Sequence, residues 1–514
     1  MSRPHPTKSL HFARSVSVGL SSQLLSLAVN FLVIPVLMRA LGTRTYGLYI
    51  LLHTAVSYAM LATLGVGAAV VRYTAEFKAS GDGHALRQTV FYAGLFYIFA
   101  ACLGGGAAWI LAPRVAEGVL RLSGPMGADA VFVLRTAAVA AMAWTFVEMA
   151  LMLLQGLQLF TWHAALSAAQ NAGFLLGAAL MVSLGFGVRG LALWHAAWGA
   201  ALAAFGLGLA LFKMGQVAGP GRRELPLKDF IHYGLGGGFG RFAWIVTNQF
   251  DKVYVARAAS LTDTTLYSVP AGLLQRLNML RAVVSNVILP MMSELHGPNA
   301  ATELRRMYLK SVRFMLWVGL PPLVFLFALM PQFLGLWLGG EFASKSIWPA
   351  RVLVISEVFF FLEGQAHTVI FSRDSPWRVN ALIWLQAATC LLSWKLLIGR
   401  YGILGVAVGS TLAQGLCMSI SLIFAHRRVM RLPWRTFFSD GLYAPCLSAL
   451  LTLALLFPIR TAVTTWPLMI ASIAGVLAVY YSSTYVVMSD EDRALLRGWI
   501  SSGRLRLGLP RRNA

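Results

Sequence analysis

The chain has 514 residues, 58% of them hydrophobic and 12% charged, with mean hydropathy +0.69 and formal net charge +23. Soluble domains carry about 25% charged residues, so this composition excludes an ordinary soluble enzyme or binding module. In a soluble protein such a basic balance would point to nucleic acid; spread among recurrent apolar runs, it points to a membrane protein whose loops are sorted by charge.

Apolar runs of about 20 residues, long enough to cross a bilayer as helices, recur from end to end. They predict about fourteen transmembrane helices, over 15–38, 46–71, 89–112, 131–155, 163–186, 189–212, 230–256, 264–291, 310–337, 347–371, 377–398, 402–425, 440–458 and 466–488. Lipid offers no partner to backbone groups, so an all-α integral membrane fold is expected. The first run is too long for the apolar core of a signal peptide and is read as a retained helix. Placing the N-terminus in the cytoplasm and alternating sides gathers most Lys and Arg on that side and puts both termini there. The basic tail, Arg493 to Arg512, is expected on anionic lipid headgroups. Cys102, Cys390, Cys417 and Cys446 lie inside predicted spans without ligand spacing, so they read as small apolar residues, with no metal site or disulfide framework.

In chain order, Gln23 and Asn30 share one face of the first span. Glu148 in span 4 precedes Gln155 by a heptad, and Gln170 and Asn171 sit in span 5. His53 and His195 read as satisfied core histidines, and Trp194 and Trp198 as packing or interfacial residues. The Gly/Pro-containing basic segment 214–229 reads as a linker. GLGGGFG at 234–240 follows no strand and lacks a GK[ST], so it reads as close packing or a bend and not as a nucleotide loop; no P-loop is present.

Span 7 places Arg241, Asn248 and Asp251 or Lys252 on one helix face. Span 8 adds Gln275, Arg276, Asn278, Arg281 and Asn286. Arg276 and Arg281 are five apart, about 140° around a helix, and can both face one cavity only if the helix bends. In span 10, Glu357 and Glu363 precede His367, which follows Glu363 by four residues on the same face. A charge at the bilayer centre costs about 2.5–3.5 kcal/mol even on lenient scales, so such residues normally face a cavity or a partner.

The chain contains a repeat. Shifted by 218, RALGTRTYGLY (39–49) falls on RAASLTDTTLY (257–267), Asn30 on Asn248 and Glu76 on Glu294. Shifted by 215, GVRGLAL at Gly187 falls on GILGVAV at Gly402, and Glu148 on Glu363. The repeat pairs spans 1–6 with spans 7–12; six is even, so the copies are parallel. The expected organisation is a six-helix lobe over 1–213, a cytoplasmic linker over 214–229, a second six-helix lobe over 230–430, two additional helices over 431–490, and a basic tail over 491–514.

This arrangement, with LGTRTYGLY and RYTAEF at span 2, LLQGLQLF after span 4, and NQFDKVYVA, LYSVPAGLLQRL and LPMMSEL in spans 7 and 8, resembles the bacterial polysaccharide-unit (O-antigen or exopolysaccharide) flippases. These belong to the multidrug/oligosaccharidyl-lipid/polysaccharide exporter superfamily. The resemblance covers roughly residues 10 to 430; the last two spans match only in number. It implies a flippase, not an enzyme, that exports undecaprenyl-pyrophosphate-linked oligosaccharide units across the inner membrane by alternating access. Polysaccharide polymerase and chain-length machinery are the implied protein partners; neither nucleic acid nor a cofactor is expected, and two lobes in one chain allow a monomer.

Arg and Lys answer a pyrophosphate with charge-assisted hydrogen bonds. The expected phosphate-facing set is therefore Arg241, Lys252, Arg276 and Arg281, within a polar network of Asn30, Asn248, Asp251, Gln275 and Asn278. Glu148, Glu357, Glu363 and His367 are the ion-coupling candidates, the Glu–His pair as a proton relay. The alternatives are a lipid II flippase, a cation-coupled multidrug antiporter, disfavoured by the cations of spans 7 and 8, and a membrane glycan polymerase or ligase. The last is disfavoured by the short outside loop near Pro113–Ala130.

Overall fold

The computed structural model of the chain describes residues 6–63, 65–217, 219–221, 223–295, 299–374, 376–488 and 493; the side chains of 6–24, 235–241, 283, 286, 287, 290 and 376 fall outside that description. The fold is all-α. The helices are α1 (Pro6–Ala59), α2 (Gly67–Ser80), α3 (Gly83–Pro113), α4 (Gly124–Gly156), α5 (Phe160–Ala168), α6 (Phe174–Ser183), α7 (Gly187–Val217) and α8 (Leu227–Ala258). They continue as α9 (Leu261–Gln275), α10 (Asn278–Ser293), α11 (Ala300–Leu338), α12 (Gly340–Arg373), α13 (Pro376–Phe424), the single turn α14 (Trp434–Thr436), α15 (Tyr443–Ile459) and α16 (Trp466–Val487).

Among the described residues, nine helices are long and apolar enough to cross a membrane. This is a multi-pass membrane protein. The regions predicted as spans at 230–256, 264–291 and 347–371 are also helical and fall outside those nine; they hold the singled-out charges other than Glu148.

The helices break where the chemistry is special. α1 kinks at Gly42 and α13 at Gly402, both with positive φ. The predicted span 46–71 is in fact interrupted between Met60 and Gly67, with Gly65 at φ 80°, a conformation that suits glycine. The predicted span 163–186 passes through a π-helical turn, Ala169–Gly173, at Gln170 and Asn171. Span 8 is broken at Arg276 and Leu277, where i→i+3 bonds such as Leu277 N–H to the Leu274 carbonyl, 2.9 Å, replace the α pattern. A helix break thus falls at Arg276, five residues before Arg281. α8 runs through Gly234 without a break, and Gly234 lies against Val66, its Cβ position 3.1 Å from the Val66 Cα.

Two compact units divide the chain: Met1–Gly272 with Asn380–Gly409, and Leu273–Val379 with Ser410–Ala514. In the first, α4 packs against α1, α2, α3 and α7. Its buried Ala137, Ala138, Ala140 and Ala141 let neighbouring backbones approach closely, the usual device for helix association in lipid. The linker is docked there as well. Asp82 caps α3, accepting from the backbone N–H of Ala85 (3.0 Å), His84 (3.1 Å) and Arg223 (3.0 Å), and Leu225 N–H donates to Gln88 Oε1 at 2.8 Å. In the second unit, α15 and α16 pack on α11, where the Tyr480 hydroxyl donates to the Leu316 carbonyl at 3.2 Å.

The repeat has a physical counterpart. The Thr265 hydroxyl donates to the Thr43 carbonyl at 2.8 Å, and a Cβ on Gly47 would stand 2.1 Å from the Leu261 carbonyl oxygen. At the 218-residue shift, Thr43 and Leu261 are repeat mates, and so are Gly47 and Thr265. Each copy therefore contacts the other through the same two positions, as in an isologous interface. The mates Asn30 and Asn248 likewise donate to the carbonyls of Ser26 (2.6 Å) and Trp244 (2.9 Å), themselves mates. Gly187 and Gly402 share positive φ, 59° and 54°.

Candidate functional site

Among the described residues, the sequence-predicted charged side chains gather chiefly in one cluster in each unit. In the first unit, Asp251 and Lys252 on α8 are 3% and 9% exposed. The Lys252 backbone N–H donates to Asp251 Oδ1 at 2.8 Å and its ammonium to Gln249 Oε1 at 2.7 Å. The Tyr267 hydroxyl on α9 donates to the Asp251 carboxylate. Tyr58 on α1 and Cys390 on α13 lie within electrostatic reach of Asp251, and the buried Tyr58 hydroxyl makes no hydrogen bond. Asn30 and Asn248 spend their amides on their own helices. An apolar cavity of about 490 Å³ adjoins this cluster, with Tyr58, Phe250 and Val253 among its walls.

In the second unit, α10, α12 and the end of α13 bring together Arg281, Glu357, Glu363 and His367. Glu363 is 2% exposed; its Oε2 accepts from Gln414 Nε2, and its Oε1 lies 3.5 Å from His367 Nε2. His367 Nε2 is also 3.1 Å from the Ser421 hydroxyl. The Arg281 guanidinium stacks 4.1 Å from the Phe360 ring centroid, and its side chain lies against Gly364, where a Cβ would stand 2.4 Å from Arg281 Cδ. Glu357 and Glu363 are within electrostatic reach of Arg281. Both amide atoms of buried Gln365 lack hydrogen-bond partners. Glu363, His367 and Cys417 hold their donor atoms within 4.8 Å of one another, a carboxylate–imidazole–thiol set of the kind that suits a borderline-soft divalent ion.

The predicted Glu363–His367 pair is therefore in place, and Arg281 sits beside it. Lys252 and Asp251 belong to the first unit's cluster. Arg276 is exposed at the α9–α10 break, with Gln275 and Asn278 half-buried on either side. Glu148 is half-buried on α4. The side chains of Arg241, Gln23 and Asn286 fall outside the described residues, as does the tail after Arg493.

Sequence reasoning missed three things. Gln414, Cys417 and Ser421 form one face of α13, spaced by three and four, and all three turn toward Glu363 and His367; that spacing was the available signal. Cys417, read as inert, lies among donors. His53 and His195, read separately, meet with ring centroids 4.6 Å apart and planes tilted by 45°, flanked by Tyr49, Trp144 and Phe174. The Tyr49 hydroxyl, Trp144 indole N–H and His195 Nδ1 are buried there without hydrogen bonds. No local signal links residues 53 and 195. Trp194 and Trp198 do pack: they stack at 5.2 Å, and their N–H groups donate to the carbonyls of Phe174 (3.0 Å) and Ala169 (3.1 Å), spanning the π-helical turn.

The family model described as polysaccharide biosynthesis protein matches residues 12–296. No curated protein matches the chain. A lipid II flippase, MurJ, in an inward closed conformation is similar at TM-score 0.68 and 15% identity, over 94% of this chain and 100% of its own. An inward-facing multidrug resistance transporter of the MATE family, in the MOP superfamily, is similar at TM-score 0.67 and 14% identity, over 81% and 98%. A MOP superfamily transporter from Pyrococcus furiosus, described for the reverse polarity of its binding pocket, is similar at 0.54 and 16%, over 82% and 95%. At these identities the likeness establishes the fold.

Proposed function

The chain belongs to the polysaccharide biosynthesis protein family, and from that premise we propose that it is a flippase. It moves undecaprenyl-pyrophosphate-linked oligosaccharide units across the bacterial inner membrane, with both termini cytoplasmic, for O-antigen, capsule or exopolysaccharide assembly. The observation that carries the reading is the burial of cations within membrane helices: Lys252, 9% exposed on α8, and Arg281, stacked on Phe360. A cation held within a membrane helix is costly and normally faces a cavity or a partner, and an anionic substrate adds to what the neighbouring carboxylates supply. A pyrophosphate is the part of the carrier hardest to move through lipid, and these groups replace its lost hydration. Two parallel lobes, divided at the 214–229 linker, alternate access to the substrate, and Glu363 with His367 couples transport to a proton. The apolar cavity beside Tyr58 suits the isoprenoid chain.

A lipid II flippase is the second reading, favoured by the likeness to MurJ over 94% of this chain. One experiment separates the two. The gene is deleted in its host, and the membrane face on which carrier-linked glycan accumulates is assayed together with surface polysaccharide and cell-wall synthesis. Glycan trapped on the cytoplasmic face with intact wall synthesis supports the polysaccharide flippase. Arrested wall synthesis assigns the lipid II substrate. Normal export of both with new sensitivity to cationic drugs overturns the proposal.

A further inference from the structure

In the second unit, two helices turn metal-ligating side chains toward one point. On α12, Glu363 and His367 are one helical turn apart and share a face. On α13, Gln414, Cys417 and Ser421 share another. The oxygen, nitrogen and sulfur donors of Glu363, His367 and Cys417 lie within 4.8 Å of one another. An ion about 2.0–2.3 Å from each donor draws such atoms to about 3.5 Å apart, so small side-chain rotations close the set.

The surroundings hold these groups in register. The Thr411 hydroxyl donates to the Val352 carbonyl at 3.1 Å, and a Cβ on Gly415 would stand 3.1 Å from the Phe359 ring, so α13 lies directly on α12 here. Gln414 Nε2 donates to Glu363 Oε2 and orients the carboxylate, as groups behind a metal ligand do. The other oxygen, Oε1, is buried without a hydrogen bond and lies 3.5 Å from His367 Nε2. A buried carboxylate oxygen left in this way is costly, and a cation among these donors satisfies it. The Ser421 hydroxyl, 3.1 Å from the same imidazole nitrogen, stands where a fourth ligand position would open.

We propose that Glu363, His367 and Cys417 bind a borderline-soft divalent metal ion of the Zn²⁺ type, which clamps α12 to α13. Cys417 ligates as the thiolate, its proton passing to solvent. Carboxylate and thiolate together neutralise the two charges of the ion, so the occupied set carries no net charge into the membrane. The Arg281 guanidinium is within electrostatic reach of both Glu357 and Glu363, and it keeps Glu357 when the metal takes Glu363. A bound ion withdraws Glu363 and His367 from the proton coupling proposed above. That consequence rests on the flippase reading; metal binding does not.

The test uses the full-length protein in a neutral detergent, freed of metal with a chelator and titrated with Co²⁺, a coloured substitute for Zn²⁺. One Co²⁺ per chain is expected, with a thiolate-to-cobalt charge-transfer absorption that added Zn²⁺ abolishes by displacement. Cys417→Ser should remove that absorption and weaken binding at least about 10-fold, while Cys446→Ser, on α15, should change neither. Glu363→Gln keeps the shape without the charge; it should weaken binding comparably and serves if Cys417→Ser fails to fold. Absence of one-to-one binding, Co²⁺ bound without the charge-transfer absorption, or equal affinity in the two cysteine variants would overturn the proposal.

Discussion

Thr265 donates its hydroxyl to the Thr43 carbonyl at 2.8 Å across 222 positions, while Gly47, the repeat mate of Thr265, lies against Leu261, the mate of Thr43. The two copies of one motif meet reciprocally, and the contact has no room to spare. Gly47→Val is therefore expected to destabilise the protein by about 1–3 kcal/mol through overpacking. Thr265→Val, which keeps the shape and removes one hydrogen bond, should cost about 0.6 kcal/mol. Denaturant unfolding in detergent measures both; equal effects would contradict the steric account.

Lys252→Ala should abolish or strongly reduce glycan export while leaving membrane insertion intact, read as surface polysaccharide against protein level. Wild-type export in that variant would remove Lys252 from the substrate path.

Arg281 owes its position to the bare backbone of Gly364. Gly364→Ala should push the guanidinium off Phe360 and reproduce the export defect of Arg281→Ala with near-normal protein levels. Arg281→Lys should not rescue, because an ammonium lacks the planar face that stacks on the ring. Full export in Gly364→Ala would dissociate the stacking from function.

Glu363→Gln retains an oxygen and an amide for Gln414 and His367 but cannot exchange a proton. In vesicles with an imposed pH gradient, its transport should lose the wild-type dependence on pH. An unchanged profile would move coupling away from this pair.

Asp82 offers a test outside the membrane. Its hydrogen bonds from Ala85 and Arg223 N–H, with that from His84, hold its carboxyl below the usual carboxylate value. Because the folded-state pKa lies below the unfolded one, about 3.9, the contact stabilises the fold above that pH. The stabilisation is lost as pH falls through the lower folded value. Asp82→Ala should lower the Tm at pH 7, with the difference from wild type shrinking toward pH 3. A difference that persists undiminished in acid would refute the charge-dependent cap.

Much of this was legible in one dimension. Apolar runs imply helices because lipid leaves the backbone no other partner. The repeat could be read from residues 39–49 against 257–267, and Glu363 with His367 from a four-residue spacing, since helical neighbours are set by the helix itself. What lay beyond local periodicity required the fold. The meeting of His53 with His195 and the approach of Gln414, Cys417 and Ser421 to Glu363 and His367 each join segments far apart in the chain. The break at Gly65 escaped the hydropathy pattern because apolar character continues through a bend. Composition and periodicity determined that the chain is a bundle of membrane helices with charges inside; only packing decided which charges meet, because contacts between distant helices depend on register and rotation that no local window of sequence encodes.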